Sequence, residues 1–155
     1  MRIVIAAVGK LRRGAELTLI EDYLDRFAKA GRSLGLPKVE VVEVEDRRGG
    51  GMEAEADLLS RAIPTGALVI ALDERGDQIT SPDVTHRIAC ARDGARDLCF
   101  IIGGADGIAP SLRERADLRI SFGRMVWPHM LARVMLAEQL YRAATILAGG
   151  PYHRE

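Results

Sequence analysis

The chain has 155 residues, 48% of them hydrophobic, which is enough for one compact domain with a true core and leaves little room for a second. Its 22 basic and 22 acidic residues cancel, which excludes a bulk electrostatic grip on nucleic acid, so any RNA contact must come from a local basic patch.

Arg2 to Val8 is short, apolar and β-branched, as in a strand buried on both faces. It could pass for a short signal core, but Gly9-Lys10 and Arg12-Arg13 follow where a small-residue cleavage site would lie. Glu16 to Ala30 carries Leu17, Ile20, Leu24 and Phe27 at steps of three and four, which predicts an amphipathic helix. Lys38 to Glu45 alternates apolar and polar residues, which predicts a strand with one wet face at a sheet edge. Asp46 to Gly51, with Arg47-Arg48 and three glycines, reads as a basic loop able to touch phosphate or simply to solvate a connection.

Met52 to Ile63 reads as a helix, ended by Pro64 and Gly66. Ala67 to Asp73 is a buried strand running into a turn at Glu74-Arg75-Gly76-Asp77. Ser81, Pro82 and Asp83 supply an N-cap, a first-turn proline and a first-turn acid for a helix to about Arg92. A strand at Leu98 to Ile102, a short helix from Ser111, a strand at Leu118 to Phe122 and a helix at Met130 to Ala148 complete the chain. The βαβαβαβαβα alternation implies an α/β fold, a mostly parallel sheet with helices on both faces. No apolar run approaches membrane-spanning length, so no membrane partner is expected and a cytoplasmic protein is the default. Cys90 and Cys99 lack a CxxC spacing, so neither a zinc site nor a disulfide framework is indicated and no metal is expected.

The last helix is apolar nearly all round, with Met130, Val134, Ala137, Tyr141 and Ala144 on one stripe and Leu136, Leu140, Ala143 and Leu147 on a second. Such a helix requires burial on more than one side, and a second copy of the chain is the expected partner. Arg133 lies within this apolar arc and must pair with a carboxylate, such as Asp106 or Glu138 of a neighbouring copy, or face an anion pocket.

Ligands of open α/β sheets bind at the carboxyl ends of strands. Three such ends converge here: Leu72-Asp73, Gly103-Gly104, and the segment Gly123 to Pro128. Gly103-Gly104-Ala105-Asp106-Gly107 is not GxGxxG and no Gly-Lys-Ser/Thr occurs, so neither a dinucleotide fingerprint nor a P-loop is present. The tail holds Tyr152, His153 and Arg154: a flat face for stacking, a group that titrates near neutrality, and a fork for phosphate or carbonyl oxygens. His129, in a first helical turn, reads as structural, and Asp73-Glu74 as a solvated turn.

Leu72-Asp73-Glu74-Arg75-Gly76, Phe100 to Gly107, Pro128-His129 with Leu131-Ala132-Arg133, Glu138 to Ala143 and Pro151-Tyr152-His153-Arg154, in this order, resemble the RlmH family over the whole of 1–155. This is the SPOUT class of ribosomal large-subunit pseudouridine N3-methyltransferases. The resemblance implies S-adenosyl-L-methionine as methyl donor, a homodimer, 23S rRNA of the assembled ribosome as substrate, and a C-terminal trefoil knot. Knots are rare enough that the alternation of elements would never suggest one. Carried over by position, Leu72, Gly103, Gly104, Gly123, Arg124, Met125, Val126, Trp127 and Pro128 hold the cofactor. His153, Arg154 and Arg142 serve catalysis, with Tyr152 and Arg133 on the substrate. The family tends to have Pro, Thr and Leu where Arg124, Val126 and Trp127 stand, so a threonine hydroxyl is missing here and main-chain bonds must carry the contact. The competing readings are a SPOUT-class tRNA methyltransferase and a non-catalytic nucleotide-binding module.

Overall fold

The computed structural model describes residues 1–155. Its strands are β1 Ile3–Val8, β2 Val39–Val44, β3 Leu68–Asp77, β4 Leu98–Ile102 and β5 Leu118–Ile120. The helices are α1 Ala15–Gly31, α2 Gly51–Ala62, α3 Ser81–Asp93, α4 Pro110–Arg115 and α5 His129–Leu147. The sheet runs β2-β1-β4-β3-β5 and every pairing is parallel, which agrees with the alternation of elements. β2 lies at the edge as expected but has no single wet face: the alternation breaks at Val41-Val42, so Val39 packs on the first core, Val42 and Val44 on the second, and Glu40 and Glu43 are exposed on opposite faces.

Strand geometry sends successive side chains to opposite faces, and β1 divides cleanly. Ile3, Ile5 and Ala7 join Phe27 of α1, Ile88 of α3, Phe100 of β4 and Leu136 and Leu140 of α5. Val4, Ala6 and Val8 join Leu59 of α2, Ile101 of β4 and Leu112 of α4. Each large apolar side chain fully withdrawn from water here contributes about 1.5–3 kcal/mol. The result is a three-layer sandwich with α1, α3 and α5 on one face and α2 and α4 on the other. The connections β1 to β2 and β3 to β4 step one way along the sheet over the first face. Those from β2 to β3 and β4 to β5 step the other way over the second, so all four crossovers share one hand.

One consequence positions the site. The chain leaves β4 toward the second face, whereas it leaves β1 and β3, its neighbours on either side, toward the first. The divergence opens a crevice at the carboxyl ends of the strands.

Two local expectations change. Glu74 to Asp77 is not a turn: β3 continues through it, with a register shift that pairs Ile120 with both Leu72 and Asp77. Gly76 makes this possible, because a Cβ there would lie 2.6 Å from the carbonyl carbon of Arg119. The N-cap of α3 is Thr80 rather than Ser81: its hydroxyl accepts from Asp83 N at 3.2 Å and the Asp83 carboxylate accepts from Thr80 N at 2.8 Å.

Candidate active site

The crevice is a cleft of about 290 Å³ at the ends of β3, β4 and β5. Ile102, Ile108 and Ile120, all nearly buried, give it apolar walls. The extra residues Asp73, Glu74 and Arg75 of the irregular stretch of β3 form another wall. Asp73 corrects the expectation of a solvated turn: its side chain is only 7% exposed, with the Arg75 and Arg113 guanidinium nitrogens each 3.4 Å away.

The glycine loop after β4 is built for close approach. A Cβ on Gly103 would lie 2.4 Å from the Gly107 carbonyl carbon, so only glycine lets the loop fold back on itself. At the opposite wall, the Ser121 hydroxyl donates to the Gly123 carbonyl at 2.7 Å and accepts from Gly123 N at 3.1 Å. Gly123 sits at φ +122°, which a side chain would strain. The chain then passes through Arg124 to Pro128 and enters α5.

Of the residues carried over for the cofactor, Leu72, Gly103, Gly104, Gly123, Met125, Val126 and Trp127 line this one cleft. Arg124 and Pro128 do not line it, and both are exposed. Met125 and Val126 are 70% and 79% exposed, so they form a rim and not a floor. His129, read as structural, also lines the cleft, as do Asp106, considered only as a partner for Arg133, and Phe122, which sequence reasoning did not select. Their place on two successive strand-end loops was the available signal.

The tail residues lie elsewhere in the same chain. Arg142 Nη2 donates to Glu138 Oε1 at 2.6 Å, Tyr152 OH donates to the same oxygen at 3.0 Å, and Arg142 Nη1 reaches His153 Nδ1 at 3.3 Å. The Tyr152 ring stacks edge-on against Tyr141 at 4.8 Å and under the Arg142 guanidinium at 4.9 Å. Burial and the bond to Glu138 push the Tyr152 phenol up to about 12. Arg154 is exposed. Arg142, on which His153 packs, stands between three and four turns along α5 from His129, roughly 20 Å at 1.5 Å per residue. Two donors or acceptors at this cluster, Arg142 Nε and His153 Nε2, are buried with no partner.

Arg133 pairs with neither Asp106 nor Glu138. Its Nη1 donates to Glu43 Oε2 at 2.7 Å, and its Nη2 to the carbonyls of Val8 at 3.2 Å and Gly9 at 3.0 Å. The residue is 1% exposed. Both terminal nitrogens therefore serve to tie the start of α5 to the ends of β1 and β2, beside the cleft.

The residues fit the expected cofactor. A cleft with apolar walls, rimmed by main-chain groups at two glycine turns, suits a flat base bound through backbone amides and carbonyls. No group of three or more metal-ligating side chains occurs, and no helix is long and apolar enough to cross a membrane.

Residues 1–153 match the family model described as "Predicted SPOUT methyltransferase". The chain is 71% identical, over the full length of both chains, to the ribosomal RNA large subunit methyltransferase H of Paracoccus denitrificans. It is 65% identical to that of Cereibacter sphaeroides, over 99% of each chain. Among solved structures, a probable methylase family protein from Haemophilus influenzae superposes with a TM-score of 0.56 at 12% identity, covering 99% of this chain and 70% of that one; this likeness speaks to the fold alone. An all-parallel sheet with its crevice at the strand ends, joined to these matches along nearly the whole chain, places the protein in the SPOUT methyltransferase family, among the ribosomal RNA large subunit methyltransferase H proteins.

Proposed function

We propose that the protein transfers a methyl group from S-adenosyl-L-methionine to N3 of a pseudouridine in 23S rRNA of the assembled ribosome, as a cytoplasmic homodimer whose active site combines two chains. The observation that carries this reading is the separation of parts. The cofactor cleft opens at the start of α5, whereas Arg142, Tyr152 and His153 cluster at its far end. A second chain running antiparallel along α5 would bring one tail over the other cleft. Exposed apolar residues at the rim and first turn, Met125, Val126, Trp127, Met130 and Leu131, support such a partner.

Bound in the cleft, S-adenosyl-L-methionine supplies an electrophilic methyl on a sulfonium. Leu72, Gly103, Gly104, Gly123, Met125, Val126 and Trp127, which line the cleft, would hold its adenosyl and methionine parts. The nucleophile is an imide nitrogen that must lose its proton near neutral pH. Arg142 donates toward His153 Nδ1, so a neutral His153 ring keeps its proton on Nε2 and that nitrogen donates. Once the tail lifts from α5 and uncovers this buried nitrogen, His153 bonds a carbonyl oxygen beside the reacting nitrogen, and Arg154 and Arg142 stabilise the charge that builds there. The imide proton then leaves to water. Tyr152 offers its ring face to the base, while Arg133 acts by holding α5 against β1 and β2.

In the same reading residues 1–155 form one domain carrying the family's trefoil knot. The path supports it: the chain leaves β5 at one edge, crosses the strand ends, and enters α5 next to Gly9 of β1's loop and Glu43 of β2.

The test is methylation in vitro with ribosomes and, separately, tRNA from a strain lacking the gene. Mass spectrometry should find one added methyl on a 23S rRNA pseudouridine and none on tRNA. Methylated tRNA with unmodified ribosomes would overturn the reading.

A further inference from the structure

Away from the cleft, the carboxyl edge of the sheet carries a group of cations that the reaction does not use. Lys10, Arg12 and Arg13 follow β1, and Arg47 and Arg48 follow β2. Because β1 and β2 are parallel neighbours, both loops leave the same edge. The loops touch: Gly9 N donates to Val44 O at 2.8 Å and Leu11 N to Glu43 Oε2 at 2.7 Å. Lys10 and Arg47 line one open groove with Glu43, Val44 and Glu45.

Of the three acids in this neighbourhood, Glu43 is neutralised inside the chain, Asp46 is turned onto main-chain amides, and Glu45 remains as the one carboxylate beside the cations. Glu43 serves Arg133 and Leu11 N. Asp46 accepts from Arg48 N at 3.1 Å and Gly50 N at 2.6 Å, which braces the loop that presents Arg47 and Arg48. Glu45 pairs with Arg47 only at 3.9 Å, with both side chains more than half exposed, a contact of little worth. Lys10, Arg12, Arg13 and Arg48 are exposed and make no ion pair in the chain. The strip also leads toward the cleft, since a Cβ on Gly9 would lie 3.9 Å from Nε2 of the cleft-lining His129.

We propose that Lys10, Arg12, Arg13, Arg47 and Arg48 form a docking strip for the phosphates of the RNA strand that delivers its base to the cleft. This inference rests on the function proposed above and assigns the part of the chain that grips the substrate backbone. A chain without net charge has no long-range field to draw RNA in, so local cations must supply the affinity. Four of the five are arginines, whose forks match phosphate oxygens in two-point contacts. Lys10, Arg12, Arg13 and Arg48 have no ion-pair role within the chain, and their grouping on one edge is what a polyanion requires. β2 and β3 are three strand spacings apart, roughly 14 Å, so one RNA strand lying along the edge can reach both the strip and the cleft.

The experiment compares the full chain with a Lys10→Gln, Arg12→Gln, Arg13→Gln, Arg48→Gln variant on ribosomes lacking the methyl group, across a salt series. Calorimetry with S-adenosyl-L-methionine should give the same affinity for both, because none of the four residues lines the cleft. Ribosome binding by the variant should weaken roughly tenfold or more, and the slope of log K against log salt should fall by roughly 3, about 0.7 per lost phosphate contact. A matching set of Lys↔Arg exchanges at these positions should retain most of the slope. An unchanged slope and affinity in the glutamine variant, with the parent protein methylating normally, would overturn the strip alone. A parent protein that binds ribosomes without methylating them would overturn the proposed reaction while leaving the slope comparison valid; one that does neither would overturn both.

Discussion

Arg133 Nη1 and Glu43 Oε2 lie 2.7 Å apart, an ion pair that joins the first turns of α5 to the edge strand β2 across ninety positions of sequence. Arg133 is 1% exposed and its second nitrogen bonds the carbonyls of Val8, the last residue of β1, and of Gly9 just after it. A guanidinium so placed is tolerated only while its partners remain.

Glu43→Gln should therefore destabilise the protein by about 3 kcal/mol, the lower end of the cost of leaving one half of a buried pair, because the Glu43 side chain is itself 27% exposed. Urea unfolding measures it. Arg133→Met should cost less, since it removes the buried charge together with its partner's task. The opposite ranking would show that the pair is not what anchors α5.

Gly103→Ala should weaken S-adenosyl-L-methionine binding roughly tenfold or more in calorimetry. The added Cβ would stand 2.4 Å from backbone of Gly107, so the loop must open at the mouth of the cleft. β4 itself, buried along its length, should keep the fold cooperative. Parent-like affinity would remove this loop from cofactor binding.

The Tyr152 phenol is raised from its ordinary value near 10 to about 12 by burial and by its bond to Glu138. The raised value favours the neutral phenol, so its support of the tail is complete below pH 10 and is lost as pH rises through about 12. Phenolate absorbance, taken as the difference between parent and Tyr152→Phe, should show the late midpoint, and Glu138→Gln should bring it down toward 10. A Tyr152 midpoint near 10 in the parent would mean that the tail does not pack on α5 as described.

The strands and helices were legible because β1, β4 and α1 carry their periods in contiguous residues, and the cleft was legible because Gly103 and Gly123 follow apolar runs. Missed features depend on contacts between distant segments. Glu74 to Asp77 has turn composition, yet β5 draws it into the sheet at Gly76. Asp73 looks solvated until Arg113, forty positions on, covers it. Nothing local to Arg133 points to Glu43, whose own strand reads simply as an amphipathic edge. The motif from Gly123 to Pro128 was legible as a unit, but not which of its residues line the cleft: Arg124 and Pro128 do not.

Two inactive variants decide whether the reaction centre spans two chains. Gly104→Leu, whose side chain would press on Val8 and Glu55, disables the cleft, and deletion of Tyr152 to Glu155 disables the tail. Each alone should lose methylation, with the tail deletion still binding S-adenosyl-L-methionine. Refolded together in equal amounts, they should recover about a quarter of parent activity, because half of randomly paired dimers carry one intact cleft facing one intact tail. A mixture as inactive as its components would show that each cleft works with its own tail, and the two-chain centre would be abandoned.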